Sequence, residues 1–236
     1  MDKRSEFSAS EREAVYRAIF ERRDIRSQFL PVPVPNDVLG RVLNAAHHAP
    51  SVGFMQPWDF IVIRDHGVRA AAEACFRQAN EAAAQQYEGE KAALYGRLKL
   101  EGIRSAPVNI CVTCDPERDK GSGLGRQTDP ATVLYSTVCA VQNLWLAARA
   151  ESLGVGWVSI LDFDRLREVL EIPQKLTIVA YLCVGYVASF PVEPDLETQG
   201  WERRANLEQL IHFDRFGCKN GSALGAMKLD AKDILP

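Results

Sequence analysis

The segment from Thr132 to Ala150 constrains the fold most, because apolar side chains cover nearly the whole circumference of the helix that it predicts. The apolar residues concerned are Val133, Leu134, Val138, Cys139, Val141, Leu144, Trp145 and Leu146. A helix that is apolar on every side has to be buried. The segment therefore predicts a helix inside a large core or at the interface of an oligomer.

Four other apolar segments are predicted as strands or as a turn into a strand: Phe60–Ile63, Val108–Cys114, Leu153–Leu161 and Thr177–Val184. Long helical patterns separate them without strict alternation, which indicates an α+β fold. No repeat and no linker-like stretch divides the sequence, so we expect one domain over residues 1–236, with a core at about residues 9–216. From Gly67 to about Leu100, the composition favours one or two solvent-facing helices that form a lid or reach a partner subunit.

The composition excludes several classes of partner. Hydrophobic residues make up 47% of the chain and the formal net charge is −3, which argues against non-specific binding to nucleic acid or to a membrane surface. No long uncharged apolar run predicts a transmembrane helix. The N-terminal stretch from Met1 to Glu13 is charged and lacks the apolar core of a signal peptide. We therefore expect a cytoplasmic protein.

The cysteines and histidines do not form a metal-binding pattern. Cys111 and Cys114 have the spacing of a CxxC motif, but they lie within an apolar run and no second such motif accompanies them. The four histidines likewise lack the spacing of ligands. We predict no metal site, and we interpret the cysteines as reduced thiols, those of the CxxC motif being buried.

Three arginines surround one carboxylate in the segment from Glu21 to Phe29. They are Arg22, Arg23 and Arg26, and the carboxylate is Asp24. One interpretation is a solvated helix end with local pairing of arginine and aspartate. The other is a phosphate clamp, because the planar guanidinium fork suits phosphate oxygens, with the carboxylate reserved for chemistry. This segment by itself does not distinguish the two.

Two further segments carry polar or glycine-rich patterns. In the stretch Ala49–Trp58, proline and glycine force a loop in which Ser51 and Gln56 offer hydrogen bonds. The glycines of Leu153–Trp157 follow a helix and enter a strand, which is the reverse of a dinucleotide-binding turn. The sequence contains neither GxxxxGK[ST] nor GxSxG, so motifs of nucleotide hydrolysis and of serine hydrolases are absent.

Taken in order, five motifs resemble those of nitroreductase-like flavoproteins. They are Arg22-Arg-Asp-Ile-Arg26, the loop from Ala49-Pro-Ser51 to Gln56-Pro-Trp58, Ala106-Pro107, Gly154-Val-Gly-Trp157 and Arg204. The resemblance extends roughly from Ala14 to Phe216. It implies an intertwined homodimer whose mainly antiparallel sheet is flanked by helices, with FMN bound at the subunit interface.

The resemblance also assigns roles to individual residues. It implies that the FMN phosphate is held by Arg22, Arg26 and Arg204. The ribityl chain or the isoalloxazine would meet Arg23, Ser51, Gln56 and the strand around Ser159, which includes Val158. Asp24 and Gly53 are also expected to bind the cofactor.

Two positions depart from ordinary members of the family. Those members usually carry serine or another small residue where Asp24 stands, and asparagine where Phe54 stands. The departures resemble a branch that consumes reduced FMN and O2 to make 5,6-dimethylbenzimidazole for cobalamin, with erythrose 4-phosphate as by-product. In that branch, the residues matching Asp24 and Ser159 are the catalytic pair. NAD(P)H would act indirectly, through a separate FMN reductase.

Other interpretations remain open from the sequence. The chain could be a conventional FMN-dependent NAD(P)H nitroreductase or quinone reductase, a related deiodinase-type reductase, or a flavin-binding module without catalysis. Asp24 could serve only as the ion-pair partner of Arg22 or Arg26. Ser159 could be a buried strand hydroxyl that bonds to the main chain.

Overall fold

The computed structural model describes residues 6–227, 229–231 and 234. The described chain packs as two compact units, one formed by Arg23–Val192 and the other by parts of Met1–Arg22 and Glu193–Pro236. The single domain expected over the whole chain stays a prediction. In chain order, the helices are α1 (Ala9–Glu21), α2 (Asn36–His47), α3 (His66–Ala84), α4 (Gly89–Tyr95), α5 (Ala131–Ala150), α6 (Phe163–Val169), α7 (Asp195–Thr198), α8 (Leu207–Leu210) and α9 (Gly221–Ala226).

One antiparallel sheet organises the larger unit. In the described residues it has four strands, in the spatial order β1-β2-β4-β3, and their bounds are β1 (Trp58–Ile63), β2 (Val108–Cys114), β3 (Leu153–Val158) and β4 (Thr177–Tyr186). Every residue of β2 is buried, including the polar Asn109 and Thr113, because the strand is central and covered on both faces. The sheet with its helices confirms the expected α+β fold.

Side chains on the two faces of the sheet enter two different cores. Ile110, Leu182 and Leu144 belong to a core that also contains residues of α2. On the opposite face, Cys111 and Tyr181 pack in a second core with residues of α3 and α6. Neighbouring residues of β2 thus point to opposite faces, as strand geometry requires.

Helix α5 is buried on one side and exposed on the other. Its buried residues are Val133, Ser136, Thr137, Ala140, Val141, Leu144, Trp145 and Ala148. The opposite side carries an exposed apolar stripe, which we call the α5 stripe: Leu134, Tyr135, Val138 and Cys139. Within one chain, therefore, only one side of α5 is buried, and the burial predicted for its other side is not found.

The length and composition of α5 would also suit a membrane span. Among the described helices, it alone is long and apolar enough to cross a membrane. Core helices of soluble proteins meet the same criterion. Because the buried side of α5 lies in the core of the sheet, we interpret it as a core helix.

The segment predicted to form solvent-facing helices contributes to the core instead. Its two helices are α3 and α4, and α3 buries Arg69, Ala72, Cys75 and Phe76. The solvent-facing prediction was wrong for α3, because alanines and a cysteine spaced along the helix form a narrow apolar stripe that composition alone does not reveal.

Residues 24 and 25 extend the sheet beyond its β3 edge. Asp24 forms a parallel bridge with Val155, and the Ile25 N–H donates to the Val155 carbonyl at 3.0 Å. A Cβ atom at Gly156 would lie 2.0 Å from the Ile25 carbonyl oxygen, and one at Gly154 would lie 2.5 Å from Val187. The two glycines of β3 are therefore required by close packing of neighbouring chain segments.

Replacing Gly156 with alanine should destabilise the protein by forcing the Ile25 main chain away from β3. We expect the free energy of unfolding to fall by about 1–3 kcal/mol, the usual cost of overpacking. Urea unfolding followed by tryptophan fluorescence measures the change.

Gly40 provides a matched control for this substitution. It lies within α2, and a Cβ atom there would meet nothing within 4 Å. Gly40→Ala should therefore stabilise the protein by about 0.5–1 kcal/mol, because alanine favours helix. A Gly156→Ala protein as stable as the Gly40→Ala protein would contradict the packing argument.

Candidate functional site

The Asp24 carboxylate is held in place through both of its oxygens. Arg26 Nη2 lies 2.6 Å from Oδ2, and the Trp157 main-chain N–H donates to Oδ1 at 3.0 Å. The side chain is nevertheless 31% exposed. An ionised carboxylate accepts both hydrogen bonds, so Asp24 is an oriented anion that still reaches solvent.

The neighbouring arginines have different surroundings. The Arg26 side chain is 13% exposed, and its Nε is buried without a hydrogen-bond partner among the described residues. Arg23 donates to the Val192 carbonyl, while its own carbonyl accepts from the Trp145 indole at 3.3 Å. The pairing of Asp24 with Arg26 therefore exists, but it leaves part of the Arg26 guanidinium unused.

Ser159 follows the last residue of β3, two residues beyond Trp157. It is exposed, and its hydroxyl makes no hydrogen bond within the described part of the chain. The alternative of a buried strand hydroxyl was wrong, because the strand ends one residue earlier. Val158 packs in the second core and is only 2% exposed, so a ligand at this position would meet its main chain.

The loop that contains Ser51 and Gln56 is folded tightly. The Ser51 hydroxyl accepts from the Gln56 N–H at 3.1 Å, and the Val52 N–H donates to Ser136 of α5 at 3.0 Å. Gly53, Phe54 and Gln56 have φ angles of +54°, +56° and +51°. Positive φ is unfavourable for phenylalanine and glutamine, and such strain concentrates at functional sites.

A second loop fixes this conformation. Arg118 Nη1 donates to the carbonyls of Gln56 and Trp58 at 2.9 and 3.0 Å. Lys120 donates to the Gln56 side-chain oxygen and lies 4.8 Å from the centre of the Phe54 ring. The sequence does not reveal the role of either cation, because only their contacts across about sixty residues of chain distinguish them from other charges of a polar loop.

The two groups of predicted site residues lie at opposite edges of the sheet. Ser51 and Gln56 precede β1, whereas Asp24 and Ser159 lie at β3. Three strand spacings separate these edges, about 14 Å at the usual interval. One chain therefore does not bring all the predicted residues into a single pocket.

Two of the predicted phosphate ligands belong to the smaller unit. Arg22 is the C-cap residue that follows α1, and Arg204 is exposed between α7 and α8. Their role in binding phosphate stays a prediction.

The cysteines have the environment of structural thiols. Cys75, Cys111, Cys114 and Cys183 are buried, and no cluster of three or more potential metal ligands occurs in the described residues. Burial raises the pKa of Cys111 to about 12, and it also raises the pKa of the other three. These thiols are neutral at physiological pH and are poor nucleophiles.

The helix-flanked antiparallel sheet and the motifs along its edges define the class of protein. Residues 19–186 match the model of the Nitroreductase family. The chain belongs to the nitroreductase family, as the resemblance of its motifs had implied.

Two sequence relatives and one solved structure show which members of the family this chain is similar to. The chain is 44% identical over 188 residues to the 5,6-dimethylbenzimidazole synthase of Rhodospirillum rubrum, an alignment that covers 79% of this chain and 89% of that protein. It is 38% identical over 202 residues to the protein of the same name from Rhodobacter capsulatus, with coverages of 86% and 97%. A putative nitroreductase from Desulfovibrio desulfuricans, solved in complex with FMN, has 26% identity and a TM-score of 0.60 over 86% of this chain and 97% of that one.

Replacing Arg118 with methionine should loosen the Ser51–Gln56 loop. The change leaves the Gln56 and Trp58 carbonyls without their shared donor, so we expect the free energy of unfolding to fall by about 1–3 kcal/mol. Urea unfolding measures this loss, and hydrogen exchange of the loop amides localises it.

Arg41→Met is the matched control for the Arg118 variant. Arg41 is 54% exposed and pairs with Asp37 and Glu151 at the surface. Because exposed ion pairs contribute little, its loss should cost less than about 1 kcal/mol. Equal effects of the two substitutions would refute a special role for Arg118.

Proposed function

We propose that this chain is a 5,6-dimethylbenzimidazole synthase, which converts reduced FMN and O2 into 5,6-dimethylbenzimidazole and erythrose 4-phosphate for cobalamin biosynthesis. The identity to two synthases over most of their lengths supports the assignment. The structural observation that carries it is the Asp24 carboxylate, which is oriented by Arg26 and Trp157 at the edge of the sheet where Ser159 is exposed.

The residues around Asp24 suit a flavin mononucleotide. The Arg26 guanidinium is 13% exposed beside Asp24, and guanidinium donors match phosphate oxygens. Ser159 adds an exposed hydroxyl for a polar group of the flavin or its ribityl chain. Reduced FMN supplies the electrons for the reaction with O2 and is itself the source of the carbon atoms of the product.

Asp24 is the proposed base. Its oxygens are fixed by two donors, and the carboxylate can take a proton from the ribityl carbon that becomes C2 of the benzimidazole. Arg26 keeps the carboxylate in one orientation, and Ser159 holds the reacting group in position by a hydrogen bond. A conventional flavin reductase has no step that requires such a base at this position.

The protein is proposed to act as a homodimer. Ser51 and Gln56 lie at one edge of the sheet and Asp24 and Ser159 at the other, so a second copy would complete each site with its own loop. The α5 stripe supplies an apolar surface for that association, with Leu134 and Val138 each 40% exposed and Tyr135 56% exposed. Burying this surface is favourable at about 25 cal/mol per Å².

The reaction also defines what the cell must supply. Each turnover consumes one reduced flavin, so a separate NAD(P)H-dependent FMN reductase has to provide it. We assign the protein to the cytoplasm, where such a reductase would find its nicotinamide cofactor.

Asp24→Asn should abolish benzimidazole formation while FMN binding is retained. Asparagine preserves an oxygen for the Trp157 N–H but cannot act as the base, so we expect the rate to fall by about 10²–10⁴-fold. The assay combines protein, excess FMN, an FMN reductase, NADH and air, and it quantifies flavin loss and product by chromatography. Asp37→Asn, at an exposed carboxylate of α2, is the control and should behave as the wild type.

The same assay separates the alternative functions. Net loss of flavin with formation of dimethylbenzimidazole supports the synthase. Steady NADH oxidation by the protein alone, with flavin conserved, would identify a conventional reductase, and neither activity would leave only flavin binding. An unchanged product yield from Asp24→Asn would refute the role of Asp24.

The reactivity of Cys139 should report the proposed dimer interface. Cys139 and Cys218 are exposed in the single chain, and the other four thiols are buried. At pH 8 we expect Ellman's reagent to modify Cys218 quickly, Cys139 slowly because a second copy covers the α5 stripe, and the buried thiols only after unfolding. Sedimentation measures the dimer under the same conditions.

A Cys218→Ser variant is the control for the thiol experiment and should lose the fast phase. Fast modification of Cys139 in a sample shown to be dimeric would exclude the α5 stripe as the interface.

Raising the pH should make the buried thiols reactive. Each of them regains its lower, ordinary pKa when the protein unfolds, so the free energy of unfolding falls as the pH rises towards about 12, the pKa of buried Cys111.

A further inference from the structure

A basic cleft lies at the end of the sheet opposite to Ser159 and the Ser51–Gln56 loop. Its cavity of about 320 Å³ is bordered by the end of β1, the start of α3 and the residues that precede β2. Arg64, His66, Arg69, Arg104 and Ser105 line it, together with prolines that form rigid apolar walls. None of these residues belongs to the site proposed for flavin.

Arg69 is the unusual member of this cleft, because it is only 4% exposed. Its Nη1 donates to the carbonyls of Arg104 and Ala106 at 3.2 and 2.5 Å, and its Nη2 lies 2.9 Å from His66 Nδ1. Its Nε is buried and makes no hydrogen bond to the described residues. No carboxylate of the described chain lies within ion-pairing distance, so a buried positive charge lacks a counter-charge.

Two exposed guanidinium groups add to this charge. Arg64 donates through Nη2 to the Val34 carbonyl at 3.1 Å, which leaves its other nitrogens available to a ligand. Arg104 is 69% exposed and lies 3.7 Å from Glu73, a distance too long for a strong hydrogen bond. Asp65 is engaged at the start of α3, where it accepts from the Val68 N–H at 2.9 Å. The cations therefore exceed the nearby carboxylates.

We propose that this cleft binds the phosphate group of a small molecule, either free phosphate or a compact phosphate monoester. Arg64 and Arg104 would donate to the oxygens, and buried Arg69 would supply the charge that an anion neutralises. The volume lies at the lower end of the range for ligand pockets, which favours a small phosphorylated compound over a nucleotide. The walls formed by prolines pre-organise the cleft and reduce the entropic cost of binding.

Calorimetric titration of the FMN-saturated protein with inorganic phosphate tests the proposal, because bound FMN occupies its own phosphate site. The buffer is free of phosphate and of constant ionic strength. We expect one phosphate to bind per chain in the wild type. Arg64→Gln combined with Arg104→Gln should weaken the binding roughly tenfold or more, as the loss of charged donors implies. Both arginines are exposed, so this variant should keep the fold.

Arg77→Gln combined with Arg97→Gln is the matched control. It removes the same charge from two exposed arginines that do not line the cleft, and it should bind phosphate as the wild type does. No binding by the wild type, or equal weakening in both double variants, would overturn the proposal. Glycerol phosphate is titrated in the same way, and the tighter of the two probes identifies the ligand as an ester or as free phosphate.

The proposed synthase activity and the proposed phosphate site can be tested independently of each other. Benzimidazole formation in phosphate-free buffer should be the same in Arg64→Gln/Arg104→Gln and in the wild type, because the cleft lies away from Asp24. Loss of phosphate binding with normal product formation therefore supports a separate anion site. Loss of both in a folded variant would contradict that separation.

Discussion

The close approach of the main chain at Asp24 and Ile25 to strand β3 is the contact on which the site depends. A side chain at Gly156 would collide with the Ile25 carbonyl, so the approach is possible only for glycine. The same approach brings the Asp24 carboxylate to the Trp157 N–H, a donor that the sheet edge would otherwise leave to solvent. The glycines thus act indirectly. They fix the position of a carboxylate and need not contact any phosphate.

The division of the site between two edges of the sheet follows from the strand order. Because β1 and β3 are the outer strands, residues that flank them are separated by the full width of the sheet. That width is about 14 Å at the usual spacing of strands. A homodimer would therefore both complete the proposed site and cover the α5 stripe. An enzyme whose chemistry needs a water-poor pocket gains from this arrangement, since association itself excludes solvent.

Local pattern was enough to predict the strands, the existence of helix α5 and the motifs that identify the family. These features depend on residue type and spacing, which the sequence contains directly. The burial of α3 was mispredicted, because small residues such as Ala72 and Cys75 form its buried face and only the facing core reveals their role. Arg118 and Lys120 were missed for a related reason. Their partners at Gln56 are distant in sequence, and no local pattern encodes which surface cation will reach which carbonyl.

The two interpretations of Asp24, as an ion-pair partner and as a base, are compatible in the folded protein. A carboxylate free to rotate would lose orientational entropy at every encounter with substrate, whereas one held by Arg26 and Trp157 has already lost it on folding. The pairing is also partial, since the Asp24 side chain remains 31% exposed to solvent. From the sequence, pairing with an arginine made a purely structural role for Asp24 plausible. In the folded protein, the ion pair with Arg26 fixes the direction from which this carboxylate would remove a proton.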